Sequence, residues 1–314
     1  MENYHRLNYT PKGGAFFLLE LKNLIFTLFT LGLYYPWAKA SRLRFHYGYT
    51  SIGENSFQFR GTGNEMFLGF LKAILLLFAL EACLIYGLLE DDQDLILLGL
   101  GILYIGTLFI IPLSLHGTMR YRLAKTSFRG IRFGYRGDLK ELVVLMIKNF
   151  ILTLITLGIY APWAYVEIRK YIMSKTRFGS STFNFDGNGG DLFWMYIKAI
   201  FLTPLTLGIY LLFFYRNLFH FAAKHTTLEH EGQVARFETN FSASDVLLIY
   251  VLQAILLPIT IGIGYPWIRT AVLEIVINSL RIGPIDLEKV IQTEEKYDDA
   301  SGDALGDAMD FGFI

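Results

Sequence analysis

Along this chain, long apolar stretches alternate with shorter basic, aromatic ones. The apolar stretches 16–34, 143–160, 192–210 and 246–265 each have about the length of a helix. Two others differ. Residues 73–89 are interrupted only by Glu81, and residues 95–115 carry no charge over twenty-one positions, enough to cross a hydrocarbon layer of ~30 Å. Glu90-Asp91-Asp92-Gln93-Asp94 joins them, a link too short and acidic to be anything but a tight exposed connection. Elsewhere, 126–135 and 176–185 alternate apolar and polar residues around Gly130 and Gly179, which predicts β-hairpins. A lone hairpin is marginal in water, so these are expected to pair into a small cytoplasmic sheet, within one chain or across an oligomer.

The apolar stretches share a phrase. Thr30-Leu31-Gly32-Leu33-Tyr34-Tyr35-Pro36-Trp37-Ala38 returns as Thr156-Leu157-Gly158-Ile159-Tyr160-Ala161-Pro162-Trp163-Ala164. A third copy, Thr206-Leu207-Gly208-Ile209-Tyr210, loses Pro and Trp; a fourth, Thr260-Ile261-Gly262-Ile263-Gly264-Tyr265-Pro266-Trp267, keeps them. Lys22, Lys148 and Lys198 stand eight positions before the threonine, and Lys72 marks a fifth copy that has lost the phrase. Seven positions before these anchors stand Glu65, Glu141, Asp191 and, in the fourth copy, Asp245, where an acid faces a helix dipole favourably. Such a shared register points to duplication. It divides the chain into a first repeat (1–64), a transmembrane hairpin (65–125), a third repeat with hairpins (126–185), a fourth (186–238), a fifth (239–286) and an acidic tail (287–314). The tail reads as solvated, with Leu305, Met309, Phe311 and Phe313 as a possible docking segment. The polar first thirteen residues do not read as a removable signal.

Twelve residues separate each lysine from its tyrosine, ~18 Å of helix at ~1.5 Å per residue. Lysine snorkels to headgroups, and Tyr and Trp favour the interface. Lys22, Lys72, Lys148, Lys198, Tyr34, Trp37, Tyr160, Trp163, Tyr210 and Trp267 are therefore expected as interface anchors. The helix breaks fall at Gly32, Pro36, Gly158, Pro162, Gly208, Gly262 and Pro266. The expected fold is a mainly α-helical integral membrane protein of repeated helix–Gly/Pro break–helix units, with small cytoplasmic β-hairpins. Its short helices would dip into one leaflet as re-entrant wedges. A competing arrangement makes them full spans, six in all. Basic loops, including Arg42, Arg44, Arg169 and Lys170, are expected inside, against anionic headgroups.

Composition agrees with a bilayer: 53% hydrophobic residues, 18% charged and a mean hydropathy of +0.40. Twenty-eight basic residues balance 28 acidic ones, so no nucleic-acid partner is expected. Cys83 is the only cysteine. The sequence holds no phosphate loop, zinc helix or nucleophile elbow, so no catalytic residue, metal or cofactor is assigned. His220, His225 and His230 recur every five residues, a step that does not share one helix face, and read as ordinary interfacial histidines. Asp186-Gly187-Asn188-Gly189-Gly190-Asp191 superficially suggests calcium but reads as a turn and helix cap. Glu81 is the acid well inside a candidate span, a coupling group or a partner of His116 or Ser114. Gly99, Gly101 and Gly106 would allow close helix contact and a homo-oligomer.

On its Thr-Leu-Gly-Ile/Leu-Tyr-x-Pro-Trp-Ala phrases and the stretch from Gly130 to Gly137, the chain resembles the YjgN family of bacterial inner-membrane proteins, whose function is unknown. The resemblance implies a multi-pass protein of the bacterial cytoplasmic membrane and supplies no substrate or catalytic residue. The expected function is a non-catalytic, membrane-organising scaffold with helices in the cytoplasmic leaflet. The alternatives are a pore or small-solute transporter using Glu81, and a lipid-modifying enzyme using the three histidines.

Overall fold

The computed structural model describes residues 4–293. The order strand, helix, helix, strand occurs five times in succession. The first segment comprises β1 (His5–Tyr9), α1 (Gly13–Phe29), α2 (Tyr35–Gly48) and β2 (Thr50–Ile52). The second has β3 (Asn55–Phe59), α3 (Gly63–Leu89), α4 (Gln93–Lys125) and β4 (Thr126–Phe128). Next come β5 (Ile131–Tyr135), α5 (Leu139–Ile155), α6 (Ala161–Lys175) and β6 (Thr176–Phe178), then β7 (Ser181–Phe185), α7 (Gly189–Leu205), α8 (Ile209–Lys224) and β8 (Thr226–His230). The last holds β9 (Gln233–Thr239), α9 (Ala243–Tyr250), a π-helical stretch Val251–Leu256, α10 (Leu257–Ile259), α11 (Tyr265–Asn278) and β10 (Leu280–Ile282).

The strands correct the expected fold. They do not form separate small hairpins on a mainly helical membrane protein; all ten join, antiparallel, into one closed barrel, with β1 pairing both β2 and β10. Closure removes the free edges that isolated hairpins would expose. Positive φ at the pairs Arg129-Gly130 (52° and 81°) and Glu231-Gly232 (47° and 79°) supplies the tight turns that fix register. Among the described residues only two helices, α3 and α4, are long and apolar enough to cross a membrane, which overturns the mainly helical, six-span expectation.

The barrel is a packed core. Ile52, Phe128, Phe178, Leu228 and Ile282 are buried in it, with Phe57, Phe133, Phe183 and Phe237 packed against them. Phe57 lies 4.8 Å from Phe128 and Phe133 4.6 Å from Phe178, ring centroid to centroid, within the range of favourable aromatic pairs. Because strands alternate in direction, every helix pair leaves the same end of the barrel as a crown, and the turns lie at the opposite end.

Residues 283–293 close the turn end. Gly283 N–H donates to Arg236 O (2.8 Å), His5 Nε2 contacts Ile285 O (2.8 Å) and Ser180 N–H donates to Ile291 O (2.9 Å). Leu287 and Val290, expected at the start of a solvated tail, are buried in the barrel core. The acidic residues from Glu294 onward and the docking segment at Leu305, Met309, Phe311 and Phe313 lie outside the described residues.

At the crown end, side chains cap the helices as the charge pattern suggests. Thr62, Asp138, Asn188 and Ser242 cap α3, α5, α7 and α9, and Glu65, Glu141, Asp191 and Asp245 sit in the first turns. The loop 186–191 is thus a turn and cap: Asn188 Oδ1 accepts from Gly190 N–H (2.9 Å), and Asp186 pairs with His225 (2.7 Å) and Arg236 (3.1 Å).

Candidate functional site

Four hairpins of the crown end in the same turn. Leu31, Leu157, Leu207 and Ile261 are left-handed, with φ of 51°, 50°, 51° and 51°; Gly32, Gly158, Gly208 and Gly262 follow at 91°, 91°, 91° and 79°. Each threonine of the shared phrase ties the two helices together. Thr30 Oγ1 donates to Phe26 O (2.7 Å) and accepts from Tyr34 N–H (2.9 Å), while Gly32 N–H donates to Thr27 O (2.8 Å). Thr156, Thr206 and Thr260 make the corresponding bonds. Threonine, a left-handed residue and glycine are therefore all required by one turn. Pro36, Pro162 and Pro266 then occupy the first turn of the return helix, where the missing N–H costs nothing.

What the turn does not require is an apolar residue at its apex. A left-handed conformation costs a branched or bulky L-residue ~1–2 kcal/mol, and Gly or Asn would fit better. Yet Leu31, Leu157, Leu207 and Ile261 are 95%, 92%, 94% and 89% exposed. Phe29, Ile155, Leu205 and Ile259 beside them are exposed too, as are Leu154 near its tip and Leu24, Ile200 and Leu248 further down the helices. The crown presents a contiguous apolar surface of the kind that marks an interaction site.

The anchors have separate duties. Lys22, Lys72, Lys148 and Lys198 are exposed, one on the first helix of each of the first four segments. The lysine-to-tyrosine spacing is not a depth, because the chain reverses between the two: Lys148 Nζ and Tyr160 Oη both bond Glu167, at 2.8 Å each. From lysine to the turning threonine is eight residues, ~12 Å. Tyr34 and Tyr210 begin the return helices as half-buried residues.

The tryptophans are joints between neighbouring segments. Trp37 packs on Phe67 (5.0 Å), Trp163 on Phe193 (5.2 Å) and Trp267 on Phe17 (4.7 Å). A Cβ on Gly63, Gly189 or Gly13 would come within 2.2, 2.3 or 2.8 Å of these indoles, so only glycine admits them. The Gly-x-x-x-Phe acceptors, Gly13 to Phe17, Gly63 to Phe67 and Gly189 to Phe193, were overlooked in the sequence. The signal was present: α4 and α8 lack the tryptophan, and the helices after them have Leu139 and Val143, or Ala243 and Leu247, at the acceptor positions.

Of the basic residues named for headgroups, Arg42 and Arg169 are half-buried, and Arg44 and Lys170 are exposed. Arg42 holds Glu20 in a two-point ion pair (2.7 and 2.9 Å), and Arg44 donates to Gly61 O (2.7 and 3.1 Å). Arg169 lies over the Phe185 ring (5.4 Å); Lys170 is exposed. Glu81 and His116 are not brought together. Leu80 lies against Gly106, so the two differ in level by about ten residues, ~15 Å of helix, and buried His116 instead abuts the Tyr135 ring (5.5 Å). Gly99 and Gly106 pack against Leu84 and Leu80 of the same chain; Gly101 faces open space. His220 contacts Phe241 O (2.6 Å), His225 Asp186 (2.7 Å) and His230 Ser181 (3.1 Å), three separate settings.

Among the cavities that the described residues line, two lie inside the crown, floored by the barrel's aromatic layer. The larger, about 950 Å³, runs from Leu7 and Phe57 of the barrel to Tyr35, Leu77 and Tyr265. Lys39, Arg42, Arg122, Arg269 and His46 line it among apolar side chains. Burial, then Arg269 and Arg42, push the His46 imidazole down to about 4, so it is neutral near pH 7; its Nδ1 is 2.7 Å from the Tyr9 hydroxyl. The second cavity, about 590 Å³, is apolar apart from Arg169 and a few hydroxyls.

Comparison with known proteins adds a family but no chemistry. A family model described as a bacterial protein of unknown function (DUF898) matches residues 4–233 and 204–308. The inner membrane protein YjgN of Salmonella typhimurium strain LT2 is 29% identical over 168 residues, 49% of this chain and 40% of that protein. Its namesake in Escherichia coli O157:H7 is 26% identical over 136 residues, 43% of this chain and 32% of that one. The chain thus matches two fifths or less of these relatives' length. No solved structure matches it.

Proposed function

The chain belongs to the DUF898 family, and from that premise we propose that it is an inner-membrane scaffold: a barrel on the cytoplasmic face whose crown is sunk into the adjoining leaflet, with the α3–α4 hairpin crossing it. Duplication of one strand–helix–helix–strand unit would account for the five segments. The relatives, named as inner membrane proteins, support the membrane location.

The observation that carries this reading is the exposed left-handed Leu or Ile at four hairpin tips. Burying such a side chain in hydrocarbon gains ~1.5–3 kcal/mol, which exceeds the conformational cost; in water that cost has no return. The lysines, ~12 Å behind the tips, would lie at headgroup level, and Arg120, Arg122 and Lys125 near the base of α4 favour the cytoplasmic side. The α3–α4 link, with Glu90, Asp91 and Asp92, lies about eighteen residues, ~27 Å, beyond Lys72, near the opposite interface. The filled barrel interior argues against a conduit through it, and the three separate histidines against a shared metal centre.

Depth quenching tests this. A nitrobenzoxadiazole probe on Leu157→Cys, with Cys83→Ala, is expected in proteoliposomes to be quenched more by lipids spin-labelled deep in the acyl chain than by headgroup-labelled ones. Quenching by aqueous iodide as strong as for a probe on the barrel turn at Ser180→Cys would rule out the inserted crown.

A further inference from the structure

The second crown cavity holds a cation with unused donors. Among the described residues its wall contains no carboxylate and a single charge, that of Arg169. A guanidinium carries five N–H donors. The described contacts of Arg169 are the Tyr165 hydroxyl, a long 3.4 Å from Nη1, and the Tyr165 and Phe185 rings, whose centroids lie 6.0 and 5.4 Å away. A ring attracts the charge without neutralising it, and the Nε–H is buried with no acceptor among the described residues. A donor left this way in an apolar setting keeps its full desolvation cost until an acceptor arrives.

Around Arg169 the wall is largely hydrocarbon. Tyr215, Leu218, Phe219 and Ala222, at i, i+3, i+4 and i+7, put one continuous face of α8 into the cavity, and Met119 and Leu123 of α4 line it as well. These are the two second helices without a tryptophan joint, and Tyr215, 59% exposed, carries the α8 face out to the surface. A small hydrophilic anion would meet Arg169 and leave that face unused; a neutral apolar molecule would cover the face and leave Nε without an acceptor. One cation calls for one negative charge. At about 590 Å³ the volume is that of an ordinary ligand site. We propose that this cavity binds a long-chain fatty acid, its carboxylate accepting from Nε and Nη2 of Arg169 and its chain lying against Leu218, Phe219 and Ala222. Those two nitrogens present one edge of a planar fork that a carboxylate matches with both oxygens, and the Tyr165 contact, at Nη1, leaves that edge open.

Binding is measured in neutral detergent, where tip insertion plays no part, so a fatty-acid site and an inserted crown stand or fall separately. Purified full-length protein is titrated with the fluorescent fatty acid cis-parinaric acid, with palmitate, hexadecanol, acetate and phosphatidylglycerol as competitors. The expected result is saturable binding, displaced by palmitate and weakened at least tenfold in Arg169→Gln. Met119→Trp, which narrows the cavity without removing charge, should weaken it similarly and decides the case if Arg169→Gln does not fold; Lys198→Gln, exposed on α7, should bind as the parent does. Displacement by hexadecanol, acetate or phosphatidylglycerol as effective as by palmitate would overturn the proposal. So would unchanged affinity in Met119→Trp or in a folded Arg169→Gln, or an equal loss in Lys198→Gln.

Discussion

The α5–α6 and α3–α4 hairpins stand on the same kind of base and end differently. In both, an acid in the first turn pairs with a lysine closing the second helix: Glu141 with Lys175 (3.1 Å) and Glu65 with Lys125 (2.9 Å). In the short hairpin, Thr156-Leu157-Gly158 turns the chain eight residues after Lys148; eight residues after Lys72 stand Leu80-Glu81-Ala82, and the helix continues to Leu89. Twenty residues separate Thr30 from Thr50, Thr156 from Thr176, Thr206 from Thr226 and Thr260 from Leu280; counting back the same number from Thr126 reaches Gly106, which packs on Leu80. By this register the long hairpin is a short one extended at its tip by residues 81–106. Glu81 thus stands at the register of the exposed apex leucines, where the long hairpin has no turn and its first helix runs on to a length that can cross a membrane.

The largest effect is expected from erasing that difference. Replacing residues 80–110 by Thr-Leu-Gly-Ile-Tyr should leave the barrel folded, with unchanged strand signal by circular dichroism. A cysteine at Asp92, labelled from outside in the parent, has no counterpart in the variant, and no new site should become labelled from outside. A barrel that fails to fold would show that the long hairpin contributes to the core and is not an extension of the common unit.

A smaller loss is expected at the tryptophan joint that α4, alone with α8 among the second helices, lacks. Trp163→Ala should cost about 2–3 kcal/mol, read from thermal melting in detergent, since a large aromatic leaves a gap over Phe193. Gly189→Ala should cost a similar amount, because its Cβ has no room beside the indole, and the double variant should cost less than the sum. Strict additivity would mean that the two do not form one contact.

The smallest effect has the most informative sign. Leu157→Asn relieves an unfavourable conformation, so stability in detergent should hold or rise by less than ~1 kcal/mol. A tip probe on the neighbouring Ile155→Cys should nevertheless lose its deep-chain quenching in proteoliposomes. Loss of stability with retained quenching would reverse the account of why leucine is there.

Much of this was legible in one dimension. The helices, their acidic first turns, the hairpins at 126–135 and 176–185 and the breaks at Gly32, Gly158, Gly208 and Gly262 follow from local chemistry, because each depends on residues within a turn of one another. The barrel was not legible. Three- to seven-residue strands look alike whether they end as isolated hairpins or as a closed ring, since closure depends on β1 meeting β10, and residue 5 pairs with residue 282. The joints were half visible, as tryptophans without their glycine acceptors, and the burial of Leu287 and Val290 was hidden by the acids that follow them. The lysine-to-tyrosine count was misread as depth because a linear count does not register a reversal of direction.

The sequence by itself determined which segments are helix or strand, where four hairpins must turn and which hairpin may not, because caps, periodicity and left-handed residues act over a few ångströms. Only the tertiary structure decided that the strands close on themselves, that Trp37, Trp163 and Trp267 dock on neighbouring segments, and that Arg122 of α4 and Arg269 of α11 line one cavity. Those outcomes depend on contacts between residues distant in the chain, where the entropy of closure is overcome by the packed aromatic core as a whole and not by any local preference.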